Sequence, residues 1–285
     1  MLDLNGLPRI PVGDWVDAGV DWLTDNLTWL FDGVSTFMSA LVGLLETALL
    51  FPPPLVAVVA FAAIGLLVRS WKFGLFTLAS FALIVSMSMW EAAMSTLSLV
   101  LVASLITVVI GVPFGILAAR NSGFSTFVRP VLDFMQTMPS FVYLIPAIVF
   151  FGIGKVPGVV ATIVFSMPPA VRLTELGLRG VDKEVVEAGE AFGASPSRIL
   201  TRIQVPLALP TIMAGVNQVI MLALSMVVIA GIVGAGGLGA MVFRGVTRLD
   251  VGLGFEGGLS VVILAIFLDR ITSAFGERAS KRTSR

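Results

Sequence analysis

The sequence contains no cysteine and no histidine among its 285 residues. These absences exclude disulfide frameworks, metal sites built on thiolate or imidazole ligands, and mechanisms that use a histidine base or a cysteine nucleophile. Charge is also scarce, since 13% of the residues are charged against roughly 25% in an ordinary soluble domain. We predict no catalytic residue and no metal site in this chain.

The charged residues that are present cancel, and the rest of the chain is apolar. Eighteen basic and 18 acidic residues give a net charge of zero, so the chain has no basic field that would hold nucleic acid. Apolar residues make up 57% of the sequence. This composition predicts a polytopic, all-α membrane protein.

Seven apolar stretches approach the length of roughly 20 residues that a helix needs to cross a bilayer core about 30 Å thick. They are 52–68, 73–90, 96–119, 131–152, 156–172, 206–233 and 253–269. The first two are short and the last contains Glu256, so six spans or a tilted first pair remain alternatives. We predict about seven transmembrane helices.

The basic residues between these stretches indicate the orientation. With the amino terminus outside, fourteen of the 18 lysine and arginine residues fall in cytoplasmic segments and four in outer segments. Cytoplasmic loops of membrane proteins carry such an excess. We therefore expect the carboxyl terminus and the polar segment 173–205 in the cytoplasm.

The first 50 residues predict an amphipathic surface segment, followed by a first transmembrane hairpin at 51–95, a core at 96–275 and a cytoplasmic tail at 276–285. A helix over 14–34 places its aspartates opposite an apolar face, with a tryptophan at every seventh position. These residues are Asp14, Asp17, Asp21, Asp25 and Asp32, and Trp15, Trp22 and Trp29. A scaffold role on the outer surface is the favoured interpretation, and a regulatory or sensing role is the alternative.

Residues 172–204 contain ten charged side chains, whereas the following stretch 207–233 contains none. A polar protrusion between two membrane helices is the natural interpretation. Asp182 is expected to cap a first short helix and Gly193 to end it in a left-handed conformation. Ser195 is then expected to cap a second short helix, with Pro196 in its first turn.

The same segment carries a signature. Glu187, Ala188, Gly189, Gly193 and the run 203–206 have the spacing E-A-A-x3-G-x9-I-x-L-P, with glycine for the second alanine and Val205 for leucine. This pattern resembles the ABC importer permeases. Strings at 136–147, 151–162, 186–196, 208–218, 223–239 and 248–260 are similar to permease subunits of glycine betaine/proline betaine importers, and the likeness covers about residues 90–275.

The resemblance implies a MetI-like type I permease fold and a coupling role for the protrusion. Glu187 would make a charged contact with a separate ATPase subunit, Ala188 and Phe192 would fill its groove, and Gly193 would set the bend. The remaining signature residues are Gly189, Ile203 and Pro206. ATP and Mg²⁺ would bind to the ATPase, and the complex would contain two permease copies and two ATPase subunits in a bacterial plasma (inner) membrane.

Polar residues within the apolar stretches are candidates for a substrate path, because lipid offers them no hydrogen-bond partner. Packing inside the bundle is the alternative for each of them. They are Gln136, Thr137, Ser140, Tyr143, Asn217, Gln218 and Ser225. With a single tyrosine in the chain, no aromatic cage for a quaternary ammonium group is evident. We expect recognition by an extracellular binding protein, on a separate polypeptide.

Other interpretations have weaker support. Gly234, Gly236 and Gly239 match G-x-G-x-x-G, but an uncharged run precedes them where a dinucleotide fold needs a short strand. They are expected instead to interrupt a membrane helix. An ion-gradient-driven transporter would need charged relays near the midplane, and a membrane anchor would have no substrate path. Choline, carnitine and proline remain alternative substrates.

Overall fold

The computed structural model describes the backbone of residues 11–283 and the side chains of residues 11–277. Every regular element in that part of the chain is helical, so the predicted all-α class is confirmed. Helices satisfy all of their backbone hydrogen bonds internally, as lipid requires. Residues 1–10 of the predicted surface segment and the side chains of 278–285 in the predicted tail lie outside the described residues.

Twelve α-helices follow one another in the described chain. They are α1 (Val12–Leu50), α2 (Pro54–Val68), α3 (Trp71–Ser86), α4 (Trp90–Arg120), α5 (Ser122–Thr137), α6 (Leu144–Phe151), α7 (Lys155–Arg179), α8 (Lys183–Ala191), α9 (Pro196–Ile199), α10 (Val205–Ala230), α11 (Gly237–Arg248) and α12 (Val251–Thr283). A 3₁₀ turn precedes α6, and another joins α10 to the glycine-rich link before α11. This link interrupts the helix, as expected for residues 234–239, because Gly234 adopts a left-handed conformation with φ +85°.

Helices α4, α7 and α10 pack against one another at the centre of the bundle. Small residues allow α4 and α7 to approach closely: a methyl carbon added at Gly115 would lie 2.5 Å from Thr174 Cβ. Two buried hydroxyls, Thr107 Oγ1 and Ser166 Oγ, also meet across this interface at 3.2 Å. Close backbone approach and interhelical hydrogen bonds are what hold helices together in lipid.

An aromatic cluster attaches the short hairpin α2–α3 to the bundle. The ring centroids of Phe61 and Phe81 lie 4.9 Å apart, and that of Phe81 lies 5.1 Å from Phe267 on α12. Phe81 is fully buried. The hairpin therefore packs on α12, while α2 and α3 have only 15 and 16 residues.

The predicted set of seven spans needs correction. Five helices in the described chain are long and apolar enough to cross a membrane, or six if one bent pair counts as a single span. The predicted span over 131–152 is not one straight helix, because the chain bends by 108° between α5 and the helical stretch 140–151. Pro139 stands at this break, where it lacks an N–H donor and disfavours helix in the residue before it.

The amphipathic helix predicted over 14–34 is present, but it forms part of the longer α1. Its five aspartates are exposed, and the helix is irregular at Leu27, with φ −117° and ψ 18°. Phe31 stacks on Phe150 with centroids 4.5 Å apart, and Glu46 forms an ion pair with Lys155. These contacts fix α1 on the bundle. Its place relative to the membrane surface stays a prediction.

Candidate coupling site

The short helix α8 starts and ends as the sequence predicts. Asp182 Oδ1 accepts a hydrogen bond of 2.9 Å from the backbone N–H of Glu184. At the other end Gly193 adopts φ +76°, and the N–H of Ala194 donates to the carbonyl of Gly189 at 3.1 Å. This left-handed stop satisfies carbonyls at the end of the helix. The chain direction after α8 is therefore determined by local chemistry.

The second helix of the segment differs from its prediction in two ways. The expected side-chain cap is wrong: the Ser195 hydroxyl makes no capping bond, although its carbonyl accepts from the N–H of Ile199 at 2.9 Å. The helix is also not a separate short one, because it continues from Pro196 to Val233 as 38 residues. A side-chain cap adds little to the stability of a helix whose backbone hydrogen bonds continue over 38 residues.

A π-helical turn over Leu200–Gln204 joins α9 to α10. The N–H of Val205 reaches back five residues to the carbonyl of Leu200. Pro206 follows directly, and its ring has no N–H to offer the carbonyl of Arg202 four residues earlier. A wider turn accommodates such a proline without ending the helix. Pro206 thus lies inside one continuous helix.

The glycine that replaces the second alanine of the signature has a packing reason. A methyl carbon added at Gly189 would lie 2.7 Å from Ile203 Cδ1 and 3.6 Å from Ile199 Cγ1. Ile199 is itself buried. Gly189 therefore lets α8 pack directly against the start of the long helix. The coupling segment, residues 182–206, is a packed unit rather than a loose loop.

Several other residues of the coupling segment lie outside this packed joint. Phe192 is 93% exposed, and the side chains of Glu187 and Ala188 are exposed as well. A phenylalanine so exposed has no packing role inside this chain. Ile203 is half-buried and Pro206 is exposed. The coupling segment thus has an inner side, made by Gly189 and Ile203, and an outer side, made by the exposed residues Glu187, Ala188 and Phe192.

One cluster near the segment was missed from the sequence. Glu175, at 4% exposure, accepts hydrogen bonds from Ser125 Oγ at 2.7 Å and Arg129 at 2.9 Å. It also pairs with Arg179 on its own helix at 2.9 Å. The only sequence signal was the spacing of Glu175 and Arg179, four residues apart at the end of an apolar run. That spacing does not reveal the two partners on α5.

The path candidates on α10 fall on two different faces. Gln218 and Ser225 are exposed and share a face with Ala214 and Met221, which are also exposed. Asn217 points elsewhere: its amide nitrogen donates to Asp269 at 2.9 Å, and its oxygen accepts from Thr272 at 2.7 Å. Both ends of the Asn217 amide are therefore occupied by α12, which is the packing arrangement.

The other candidates lie around the bend between α5 and α6. Gln136 and Thr137 are exposed and Ser140 is half-exposed, on either side of Pro139. The Tyr143 hydroxyl donates to the carbonyl of Met135 and so closes the bend. Among the described residues, no hydrogen bond joins these side chains to the candidates on α10. The structure therefore places the candidates in two separate groups, one on α10 and one around the bend.

Comparison with known proteins agrees with this geometry. The family model described as "binding-protein-dependent transport system inner membrane component" matches residues 111–284. The chain belongs to this family. The match covers α7, the coupling segment and α10, which are the elements that make up and carry the protrusion. Family members are membrane components of transport systems, and we accordingly describe this permease as a transport subunit.

Two curated relatives are similar along most of their length. The glycine betaine/proline betaine transport system permease of Escherichia coli K12 is 48% identical over 97% of this chain and 78% of its own. The glycine betaine transport system permease of Bacillus subtilis 168 is 48% identical over 94% and 95%, respectively. Among solved structures, a chain of an inward-facing MetNI methionine ABC transporter superposes with a TM-score of 0.60 at 23% identity, covering 65% of this permease and 92% of that chain. The predicted MetI-like fold is confirmed.

Proposed function

We propose that this permease is the membrane subunit of an ATP-driven importer for glycine betaine, proline betaine and related compatible solutes. The observation that carries the proposal is the exposed outer side of a packed coupling segment, found in a chain about half identical to betaine permeases. The ion-gradient alternative loses its support, because membership of a binding-protein-dependent family implies a different energy source. Choline, carnitine and proline stay alternative substrates.

The coupling segment docks in a groove of an ATPase subunit. Phe192 is the anchor, since an exposed aromatic side chain that fills a partner's pocket supplies much of the binding energy of an interface. Glu187 adds a charged contact at the rim, where charge contributes to orientation and to association rate. ATP and Mg²⁺ bind to the ATPase, and two ATPase subunits serve two copies of the permease. A separate extracellular binding protein delivers the solute.

The exposed face of α10 lines the translocation path. Gln218 and Ser225 present hydrogen-bonding groups there, and lipid cannot satisfy such groups. The residues around the bend, Gln136, Thr137 and Ser140, form a second polar group on the same path. We assign Asn217 to packing, because α12 occupies both ends of its amide. Weak polar contacts of this kind fit a path that takes solute already selected by a binding protein.

Truncation of the aromatic anchor tests the docking assignment. Phe192→Ala should leave the permease folded, since a side chain at 93% exposure has almost no internal contacts to lose. The affinity for the ATPase should fall by about 10- to 100-fold, as for other interface anchors. Copurification and titration of the purified ATPase onto the detergent-solubilised permease measure this change.

The chain offers a matched control for that substitution. Phe51 is 88% exposed, lies between α1 and α2, and belongs to a segment predicted to face outside. Phe51→Ala removes the same side chain at nearly the same exposure, and the ATPase affinity should not change. Equal loss of affinity in both variants, or no loss with Phe192→Ala, would contradict the docking of this segment.

The orientation that we propose places the amino terminus outside and the coupling segment in the cytoplasm. Each of two contacts joins a pair of segments that the charge distribution assigns to the cytoplasm. Arg69, in the α2–α3 turn, lies 3.7 Å from Glu277 near the end of α12, and Arg179 donates to the carbonyl of Ala118 at 2.9 Å. These contacts agree with the excess of basic residues on the cytoplasmic side that the positive-inside rule describes.

Cysteine labelling measures this orientation directly, because the chain has no cysteine of its own. Asn5→Cys should react with a membrane-impermeant maleimide on intact cells. Ser197→Cys, at an exposed position of the coupling segment, should react only after the membrane is permeabilised. The opposite pattern would show that the chain is inserted the other way round.

Solute uptake tests the proposed substrate. Proteoliposomes that contain the permease, its ATPase and its binding protein should accumulate labelled glycine betaine only when ATP is present on the ATPase side. Unlabelled proline betaine should compete, while choline and proline should compete less well. ATP-dependent uptake of choline or proline without uptake of betaine would overturn the substrate assignment. Uptake that follows an ion gradient without ATP would overturn the mechanism.

A further inference from the structure

Two helices, α5 and α7, meet at one buried carboxylate below the coupling segment. Oε1 of Glu175 on α7 receives Ser125 Oγ at 2.7 Å and Arg129 at 2.9 Å, and both of these residues belong to α5. The same oxygen lies 2.9 Å from Nε of Arg179, one turn later on α7. Charged hydrogen bonds of this length are stronger than neutral ones, and burial strengthens them further.

The cluster also reaches α4. Nη2 of Arg179 donates to the carbonyl of Ala118 at 2.9 Å, near the end of that helix. Just above this contact, Gly115 and Thr174 allow α4 and α7 to approach within contact distance. The ends of α4, α5 and α7 are therefore joined through two side chains, Glu175 and Arg179. Neither residue belongs to the signature of the coupling segment.

Helix α5 has a second attachment farther along its length. Asp133 forms an ion pair with Arg172, one turn before Glu175 on α7. An open hollow of about 310 Å³ lies between the two attachments, lined by these charged side chains. Beyond Asp133, α5 leads directly to the bend at Pro139, where Gln136, Thr137 and Ser140 lie. A displacement of α7 would thus reach the bend through α5.

The position of the cluster along the chain links it to the coupling segment. Arg179 is the last residue of α7, and α8 begins at Lys183. A force applied to α8 therefore reaches the end of α7 first. Coupled motion across a protein needs elements that move as units, because flexible joints absorb displacement. The Glu175 cluster lies where a displacement of α7 would be passed on to α4 and α5.

We propose that Glu175 is a positioning residue that holds α5 and α4 to the end of α7, so that a stroke of the coupling segment moves the bend at Pro139. This proposal rests on the proposed function, since it requires an ATPase docked on α8. Glu175 touches neither ATP nor solute. Its effect is exerted through Ser125, Arg129 and Arg179, and its loss leaves the arginines without their common acceptor.

The test uses the full complex in proteoliposomes and measures solute taken up per ATP hydrolysed. Glu175→Gln keeps the size of the side chain and removes its charge, and uptake per ATP should fall about tenfold because the ion pairs are lost. ATPase activity should stay within about twofold of wild type. Glu91→Gln changes an exposed carboxylate at the far end of α4, and it should leave the ratio unchanged.

A second variant covers the case in which Glu175→Gln does not fold. The Arg129 side chain is 57% exposed, so Arg129→Ala removes the charged contact of α5 with Glu175 while the Ser125 hydrogen bond and the Glu175–Arg179 pair remain. Uptake per ATP should fall by about three- to tenfold, and Arg129→Lys should restore most of it. A role in folding alone would lower complex yield, uptake and ATPase activity together, and the ratio would stay constant.

Hydrogen exchange gives a readout that does not depend on the solute. In the purified complex, the amides of residues 122–137 should exchange faster in Arg129→Ala than in wild type, and at the wild-type rate in Arg129→Lys. The role of Glu175 would be overturned if Glu175→Gln and Arg129→Ala both kept the wild-type uptake per ATP and Arg129→Ala also kept the wild-type exchange rate. If wild-type protein took up no betaine while exchange still rose, the substrate assignment alone would fail.

Discussion

The joint between α8 and the helix that follows it is the constraint on which the mechanism depends. Backbone hydrogen bonds continue from Pro196 through the π-helical turn to the end of α10, so the coupling segment runs into the membrane bundle on this side without a break in the helix. Gly189 brings α8 against Ile203 on this helix, and Gly193 sets the angle between them. A rigid joint is needed because only a rigid body transmits a displacement over this distance.

The bundle that receives the displacement is held by close packing rather than by large apolar side chains. Lipid tails are as apolar as leucine, so membrane helices gain little from burying such residues against one another. Contact between backbones, as at Gly115 and Thr174, and buried hydroxyl pairs supply the cohesion instead. The Glu175 cluster adds strong, directional contacts at one end of the same helices. Close packing thus holds the middle of these helices together, and the charged contacts of Glu175 hold one end.

Local chemistry explains which features the sequence could predict. Asp182, Gly193 and Pro196 act on their immediate neighbours, and each has the predicted position in the structure. A proline within an apolar run indicates that the helix bends there, as it does at Pro139, but the proline does not give the angle of 108°. The partners of Asn217 and Glu175 lie about 50 residues away in sequence, and no pattern within one helix encodes them. Tertiary contacts of this kind need coordinates.

A reversible cross-link across the joint measures its rigidity most directly. The chain lacks cysteine, and a Cβ added at position 189 would lie 2.7 Å from Ile203 Cδ1, so Gly189→Cys combined with Ile203→Cys places two thiols at this contact for oxidation. If the joint moves as one body, oxidised and reduced protein in proteoliposomes will take up the same amount of solute per ATP hydrolysed. If transport instead requires α8 to hinge on the long helix, the oxidised protein will hydrolyse ATP without uptake and regain uptake on reduction.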